Sequence, residues 1–381
     1  MSGPLTVTLN LESGEGRIRK TAQESDQLYN LSAAAAGQGG FVLLATPGAD
    51  VFTVQSRAGH LIELAGGAGR DSYSLSGDGA VTLIFGGPEG QAEGPQSVIV
   101  NAYAGRVVND GFGHAEVFTL APEVLLGLRG GALGDRLSGH NGRDQIFGGA
   151  GADMLFGAGG RDTLYGGAGD DRVWSGDGSG NDRLLGGPGH DTLYGGEGND
   201  SLTGGPGGDV LYGGAGDDFL YAGQDGATRL WGEEGHDVIY GSDFEDTLGG
   251  GSGNDTLFGG GGADLLYGGG GSDWLYGGAG ADRLQSGGGD VVMQGGAGAD
   301  RFEFYNLPGA ARITDFSQAA GDRLVLNTSI WGGGLTAAEV VSRFAGSEGG
   351  DLVLRFSPEI SLRLEGAAGS EAELSGGILL M

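Results

Sequence analysis

A nine-residue unit recurs between Gly130 and Glu303 and constrains this chain more than any other feature. A clear copy is Gly250–Phe258, which reads Gly-Gly-Ser-Gly-Asn-Asp-Thr-Leu-Phe. Nineteen copies can be aligned on one large apolar residue, and an Asp stands two residues before it in 18 of the 19. A unit this short cannot bury its apolar residue alone, so the copies must stack on one another. The chain is therefore predicted to be a repeat solenoid.

The period of nine suits a short strand followed by a tight turn. Two repeats would complete one turn of a flattened coil, with a strand on each face and parallel pairing between coil turns. The aligned apolar residues would point inward and form the core: Leu137, Ile146, Leu155, Leu164, Val173, Leu184, Leu193, Leu202, Leu211, Leu220, Leu230, Ile239, Leu248, Leu257, Leu266, Leu275, Leu284, Val292 and Phe302.

The turn residues point to calcium. Glycine allows positive φ and close backbone approach, so main-chain carbonyls can be aimed at one point. Calcium takes six to eight hard oxygens from carbonyls and carboxylates. Asp and Gly are also common turn residues, but that explanation would let Asn or Ser replace Asp freely. The predicted ligands, with about one Ca²⁺ per repeat, are Asp135, Asp144, Asp153, Asp162, Asp171, Asp182, Asp191, Asp200, Asp209, Asp218, Asp237, Asp246, Asp255, Asp264, Asp273, Asp282, Asp290 and Asp300, and Asp71 in an isolated turn upstream.

Some copies depart from the pattern. Thr228 stands at the Asp position of its repeat, Phe244 replaces a glycine two residues before Asp246, and Glu233-Glu234 replaces two small residues before Asp237. The repeat at Asp290 is predicted to be one residue short. Calcium binding is less regular at these turns.

Composition limits the partners. The chain of 381 residues holds 89 Gly, no Cys, and a formal net charge of −30. Such a charge disfavours nucleic acid and anionic membranes as partners and favours metal cations. No apolar stretch is long enough to be a transmembrane segment, and no secretory signal peptide is visible at the N-terminus.

The repeats resemble the RTX, or haemolysin-type calcium-binding, repeats over about 175 residues. This resemblance implies a right-handed parallel β-roll in which carbonyls and Asp carboxylates hold calcium between turns. The stretches Ile313–Phe316 and Gly321–Leu326 are similar to the closing segment of the secreted serralysin group. That likeness implies an uncleaved type I secretion signal, and hence a secreted, extracellular or cell-surface protein of a Gram-negative bacterium. The zinc motif HExxH of that group is absent here, as is a GxSxG nucleophile motif.

Three regions follow, all of them β-rich. Residues 1–128 are predicted to be a degenerate part of the solenoid or a separate small β section. Residues 129–305 form the calcium-binding β-roll. Residues 306–381 form a cap, with a helix opened by a Thr336–Glu339 capping box and ending near Phe344. A closing hairpin follows at Asp351–Phe356 and Ile360–Leu364.

The predicted function is that of a secreted, non-catalytic calcium-binding protein that folds on extracellular Ca²⁺. Its role would be structural, as a surface-layer, matrix or filament subunit that self-associates. An aromatic residue follows the apolar position in 12 of the 19 repeats. These residues would form outward ladders that cover the strands. They also leave open a calcium-dependent adhesin that binds surface glycans. A third alternative is an enzyme whose site lies unrecognised in residues 1–128.

Overall fold

The computed structural model describes residues 125–305 and 309–381 and, before residue 125, the backbone of eleven β-strands. The chain divides into two compact units, Met1–Glu197 and Gly198–Met381, and each is described by itself. No helix in the described ranges is both long and apolar enough to cross a lipid bilayer.

The first unit is built from short strands. They are β1 (Leu5–Asn10), β2 (Glu15–Lys20), β3 (Gln27–Tyr29), β4 (Phe41–Leu44), β5 (Val51–Ser56), β6 (Leu61–Ala65), β7 (Ser72–Gly77), β8 (Ala80–Ile84), β9 (Val98–Asn101), β10 (Arg106–Asp110), β11 (Glu116–Leu120), β12 (Leu125–Arg129), β13 (Arg136–Ser138), β14 (Asp144–Ala150), β15 (Met154–Ala158), β16 (Thr163–Ala168), β17 (Arg172–Gly176), β18 (Arg183–Leu185) and β19 (Thr192–Glu197).

Parallel pairing joins the N-terminal strands to the repeats in this unit. Strand β12 pairs with β8 on one side and with β14 on the other, and β13 pairs with β9 and β15 in the same way. Antiparallel pairs also occur before residue 125, between β1 and β2 and between β9 and β10. The domain boundary at residue 128 stays a prediction.

The second unit contains the remaining strands and the helices. The strands are β20 (Ser201–Thr203), β21 (Val210–Ala215), β22 (Phe219–Tyr221), β23 (Arg229–Glu234), β24 (Val238–Tyr240), β25 (Thr247–Ser252), β26 (Thr256–Gly261), β27 (Leu265–Gly270), β28 (Trp274–Ala279), β29 (Arg283–Gln285), β30 (Val291–Ala297), β31 (Arg301–Phe304), β32 (Gly309–Ile313), β33 (Arg323–Leu326), β34 (Ala345–Glu348), β35 (Asp351–Ser357), β36 (Ile360–Leu364) and β37 (Ile378–Leu380). The helices are a 3₁₀ turn (Thr328–Ile330), α1 (Ala337–Phe344) and α2 (Glu371–Gly377).

Strand register confirms the two-repeat coil in both units. Leu155 pairs with Val173 in the first unit and Leu257 with Leu275 in the second, each a step of 18 residues. In the first unit, the even-numbered strands β14 to β18 stack on one face and the odd-numbered strands β13 to β19 on the other. In the second unit, the even-numbered strands β20 to β30 and the odd-numbered strands β21 to β31 stack in the same way. The fold is thus a parallel β-solenoid, as the period of nine predicts.

The predicted core is confirmed at every inward position but one, and those residues are fully buried. The exception is Val292, which is half-exposed. Met293 pairs with Leu275 and is 0% exposed, so Met293 is the inward residue and Val292 faces out. The repeat Ser286–Gln294 has its full nine residues, and the buried Val291 stands where an Asp would be. The prediction of a shortened repeat was wrong. It assigned Asp290 to the Asp position of the repeat, and this moved the inward position from Met293 to Val292.

The C-terminal part of the second unit closes the coil with antiparallel strands and a helix. Strand β36 pairs with β32 in parallel and with β35 in the predicted hairpin. The capping box is present, and α1 ends at Phe344 as expected. Glu303 is fully buried and accepts hydrogen bonds from Arg283 and Gln285. Burial alone would raise the pKa of Glu303, but these donors and Tyr305 hold it below its usual value.

Candidate metal centres

The repeat Asp residues form buried rows at the turns. Each lies two residues before the inward side chain, just before its strand or, for Asp144, as the first residue of it. Those at 0–4% exposure are Asp135, Asp144, Asp153, Asp162, Asp171, Asp182, Asp191, Asp200, Asp209, Asp218, Asp237, Asp246, Asp255, Asp264, Asp273, Asp282 and Asp300. Acidic side chains are almost never this buried without a partner.

One oxygen of most row carboxylates is used to connect coil turns. In the first unit the N–H of Asp153 donates to Oδ1 of Asp171 at 2.8 Å. In the second unit the N–H of Asp264 donates to Oδ1 of Asp282 at 2.9 Å. The Asp side chain therefore stabilises the stack as well as the turn. This bond needs an acceptor at a fixed position, which the shorter Ser side chain does not supply. Asn would supply it, so the preference for Asp over Asn has to come from the second carboxylate oxygen.

The second oxygen has no hydrogen-bond partner at many of these positions. Among the residues described, Oδ2 is buried without such a partner at Asp153, Asp162, Asp171, Asp218, Asp237, Asp255, Asp264, Asp273 and Asp282. Burying an ionised oxygen in this way costs free energy unless a cation or donor compensates. An arrangement repeated so often calls for a cation at the turn.

Glycines leave space beside these oxygens. A Cβ on Gly250 would lie 2.3 Å from Oδ2 of Asp255 and 2.5 Å from the carbonyl oxygen of Gly268 in the next coil turn. The same relation holds at Gly148, whose Cβ would lie 2.3 Å from Oδ2 of Asp153. Carboxylate and carbonyl oxygens thus converge where only a glycine fits.

Two further glycines in each regular turn set the direction of the carbonyls. Gly251 and Gly253 have φ of +112° and +135°, which favours glycine. A Cβ on Gly251 would lie 2.1 Å from the carbonyl oxygen of Glu233, one coil turn earlier. The turns therefore stack closely enough for main-chain carbonyls to follow one another along the edge of the solenoid.

Burial also raises the pKa of the row carboxyls. The pKa of Asp162 is raised to about 8, with burial as the largest cause and the nearby Asp144 charge adding to it. Burial likewise raises the pKa of Asp153 and Asp264 to about 7. Without a cation, the rows resist ionisation at neutral pH.

The donor set fits calcium. No group of three or more His, Cys, Asp or Glu side chains able to hold a metal converges within the described residues. A soft transition-metal site would need such a group. A hard cation can take several ligands from carbonyls, and the stacked turns supply these beside one carboxylate each. Asp153, Asp162, Asp171, Asp218, Asp255, Asp264, Asp273 and Asp282 are the residues that would hold it, together with turn carbonyls.

Asp237 keeps this geometry although Glu233 replaces a glycine in its turn. Asp237 is 1% exposed and accepts the N–H of Asp218 at 2.9 Å. Glu233 adopts a φ of +81°, the conformation of the glycine that it replaces. The turn is therefore preserved at the expense of local backbone strain.

The ends of the rows differ from their interior. Oδ2 of Asp135 accepts the N–H of Gly131 at 2.6 Å, and Oδ2 of Asp144 accepts the N–H of His140 at 2.7 Å. The imidazole Nδ1 of His140 also lies 2.6 Å from Oδ1 of Asp144. Donors of the protein itself therefore meet the first carboxylate of each row.

One predicted ligand, Asp290, does not lie in the rows. Asp290 is exposed, and its Oδ1 accepts the N–H of Ala310, while Val291 fills the row position. Asp290 lies outside the row for the same reason that Val292 is not the inward residue, and its role as a calcium ligand stays a prediction. Asp71 lies outside the described residues.

Asp322 belongs to a row and was missed from the sequence. It is 3% exposed, and its Oδ1 accepts the N–H of Asp300 at 3.0 Å. The signal was present, since Gly321-Asp322-Arg323-Leu324 reads like Ala281-Asp282-Arg283-Leu284. Asp315 was also missed; it accepts the N–H groups of Gly295 and Gly296 at 3.0 and 2.8 Å.

The described histidines serve the turns. The N–H of Asn254 donates to Nδ1 of His236 at 2.8 Å, and the N–H of His190 donates to Asp170 at 2.9 Å. Both connect successive coil turns on the outer side of the Asp row.

Comparison with known families identifies the repeats. Residues 129–304 match, in eight overlapping segments, the family described as RTX calcium-binding nonapeptide repeat (4 copies). No curated protein matches the chain as a relative.

Proposed function

Because residues 129–304 are RTX calcium-binding nonapeptide repeats, we propose that this protein folds when it binds calcium and acts outside the cell as a non-catalytic structural protein. The observation that carries the proposal is the set of buried carboxylate oxygens without hydrogen-bond partners. Each favours a bound cation, and none is compensated in the metal-free chain.

Electrostatics couples binding to folding. The chain carries a formal charge of −30, and the rows place Asp residues one coil turn apart. Without metal, this repulsion opposes the stack. With Ca²⁺ at the turns, the charge is neutralised and the cation links the carbonyls and carboxylates of the turns it touches. Since no such site exists in an unfolded chain, binding free energy becomes folding free energy.

Circular dichroism tests the proposal directly. Adding millimolar Ca²⁺ to metal-free protein should produce a cooperative gain of β signal, and a chelator should reverse it. Magnesium at the same concentration serves as the control, because it requires a smaller, octahedral set of ligands. A spectrum that does not respond to calcium or chelator would refute calcium-dependent folding.

Secretion is consistent with this mechanism. RTX repeats are typical of type I-secreted extracellular proteins, and the closing segment resembles that of secreted members. A chain that stays expanded at low cytosolic calcium and folds in extracellular calcium would suit such export. Fusion of residues 306–381 to a reporter, with export measured in cells that have a type I system, tests this part.

The structural role is supported by the aromatic ladders. Tyr240, Phe258 and Tyr276 stack at 4.6 and 4.8 Å with planes within 7° of parallel. Rings this close cover each other's faces, so the ladder presents ring edges to solvent. Sugar rings bind aromatic faces, so the interior of a ladder is a poor glycan site. Electron microscopy and light scattering with and without calcium test the assembly expected of a surface-layer, matrix or filament subunit.

A calcium-dependent adhesin is the alternative. The Trp231 ring packs against Gly249, where an added Cβ would lie 2.3 Å from the ring. The centroid of the next ring, Tyr267, is 6.2 Å from that of Trp231. On the side of Tyr267 the indole therefore meets glycine backbone in place of a closely stacked ring. Glycan-array binding that disappears in Trp231→Ala but survives in Trp174→Ala, whose ring stacks with Phe156 and Tyr194, would favour the adhesin.

A further inference from the structure

One turn inside the calcium-binding region does not fit the ion. The turn Gly241–Asp246 reads Gly-Ser-Asp-Phe-Glu-Asp, and Thr228 stands at the preceding row position. From the hydrogen bonds at this turn we infer that Thr228, Ser242 and Asp246 form a metal-independent clasp, which interrupts the row of calcium sites in the second unit. The inference rests on the proposed function and specifies where calcium does not bind.

The first observation is the hydrogen bonding of Asp246. Its Oδ1 accepts the N–H of Thr228 at 2.6 Å and the Thr228 hydroxyl at 2.8 Å. Its Oδ2 accepts the N–H of Ser242 at 2.6 Å and the Ser242 hydroxyl at 2.8 Å. Both oxygens of a carboxylate that is 2% exposed are therefore satisfied by the protein. One coil turn later, Asp264 has a buried Oδ2 without a hydrogen-bond partner.

The second observation is the backbone of the turn. Regular turns have two glycines with positive φ, such as Gly260 at +108° and Gly262 at +109°. Ser242 and Phe244 occupy these two positions in the turn Gly241–Asp246. Among the described residues, the non-glycine residues with positive φ are Ala158 and Glu233, so neither Ser242 nor Phe244 adopts it. The carbonyls are not aimed as in a regular turn, and the Phe244 N–H instead donates to the Ser242 hydroxyl at 3.1 Å.

The third observation is the missing charge. Thr228 brings a hydroxyl where the row otherwise has a carboxylate, so a cation here would have one anionic ligand fewer. A Ca²⁺ at this turn would also have to displace four hydrogen bonds from Asp246. In the clasp, both carboxylate oxygens are hydrogen-bonded without metal. The second unit therefore has one turn that needs no ion, with calcium sites before and after it.

Calcium stoichiometry tests the inference. Full-length protein saturated with Ca²⁺ and freed of excess ion is analysed for calcium per chain by atomic emission. Asp264→Asn should lower the content by about one ion, whereas Asp246→Asn should leave it unchanged. The matched control Asp243→Asn removes the same charge from an exposed position of the same turn and should also have no effect.

The outcomes separate the two proposals. If Asp246→Asn loses as much calcium as Asp264→Asn, the clasp is refuted and Asp246 is an ordinary ligand. If the wild-type chain holds no calcium, the proposed function itself fails. Because Asp246→Asn could prevent folding, Thr228→Asp combined with Ser242→Gly and Phe244→Gly provides the opposite test. This variant should gain about one ion per chain, and an unchanged content would contradict the inference.

Discussion

Single glycines decide whether a turn can hold an ion. Gly250 is predicted to be irreplaceable, because a Cβ there would lie 2.3 Å from Oδ2 of Asp255. Gly250→Ala should therefore lower calcium affinity about tenfold or more, a loss of about 1.4 kcal/mol or greater. Gly270→Ala is the matched control, since a Cβ on Gly270 meets nothing within 4 Å. Calcium titrations followed by circular dichroism compare the two, and equal affinities would contradict the proposed geometry.

Ala158 shows the reverse case. It adopts a φ of +87° at a position where other regular turns have glycine. A left-handed conformation costs a non-glycine residue about 1–2 kcal/mol. Ala158→Gly should therefore raise the melting temperature of the calcium-loaded protein, measured by thermal denaturation. Ala168→Gly, at a turn position without positive φ, should lower it slightly because glycine gains more entropy on unfolding. A destabilised Ala158→Gly would mean that packing of the methyl outweighs the strain.

At the scale of elements, the outward ladders stabilise the strands. Phe258 stacks between Tyr240 and Tyr276 at 4.6 and 4.8 Å. Phe258→Leu keeps an apolar side chain but removes both stacking contacts, so it should cost about 1–2 kcal/mol. Phe219→Leu is the control, because Phe219 is 42% exposed and makes a tilted contact with Tyr240. Unfolding by denaturant in saturating calcium measures both, and similar losses would show that ring stacking is not the cause.

The elements of the solenoid were largely predictable from sequence, and their exceptions were not. The period of nine predicted the spacing of the strands and which leucines are fully buried, because a one-residue-thick core admits one inward side chain per repeat. Val291 and Met293 escaped prediction since the Asp was assumed to hold its place, whereas an apolar residue can fill that position. Asp322 escaped because its repeat lacks the glycine run, although its side chain completes the row. Asp246 and Asp264 differ in whether Oδ2 accepts a hydrogen bond. This depends on neighbouring side chains, which the spacing of the repeats alone does not reveal.

At the scale of the whole molecule, protons and calcium compete for the same carboxylates. Burial is the largest cause of the raised pKa of the row residues, which is about 8 for Asp162 and about 7 for Asp218 and Asp237. In an unfolded chain these groups titrate near the ordinary pKa of an Asp carboxyl, 3.8. The metal-free fold therefore binds protons more tightly than the unfolded chain does. The contribution of these row carboxyls to its stability is greatest below the unfolded pKa and is lost as pH rises through the folded values.

Mild acid should consequently substitute in part for calcium. In chelator, β signal should increase as pH falls from about 8 to about 5, because protonation removes the repulsion within the rows. Below about pH 4 the trend should reverse. Hydrogen bonds from Arg and backbone groups hold the pKa values of Glu303 and Asp351 below their usual range. The stability that these two carboxylates contribute to the fold is therefore lost as they protonate.

Calcium should show the opposite dependence on pH. Since a proton must leave each row carboxyl before the ion binds, apparent affinity should fall about tenfold or more between about pH 8 and pH 6. Calcium titrations at several pH values, each followed by circular dichroism, measure this dependence together with the signal in chelator. Asp264→Asn supplies the control. The Asn side chain cannot ionise, so the part of the pH dependence that arises at this turn should disappear in the variant. A metal-free protein that loses structure steadily from neutral to mildly acidic pH would show that the buried carboxylates are not what opposes folding without calcium.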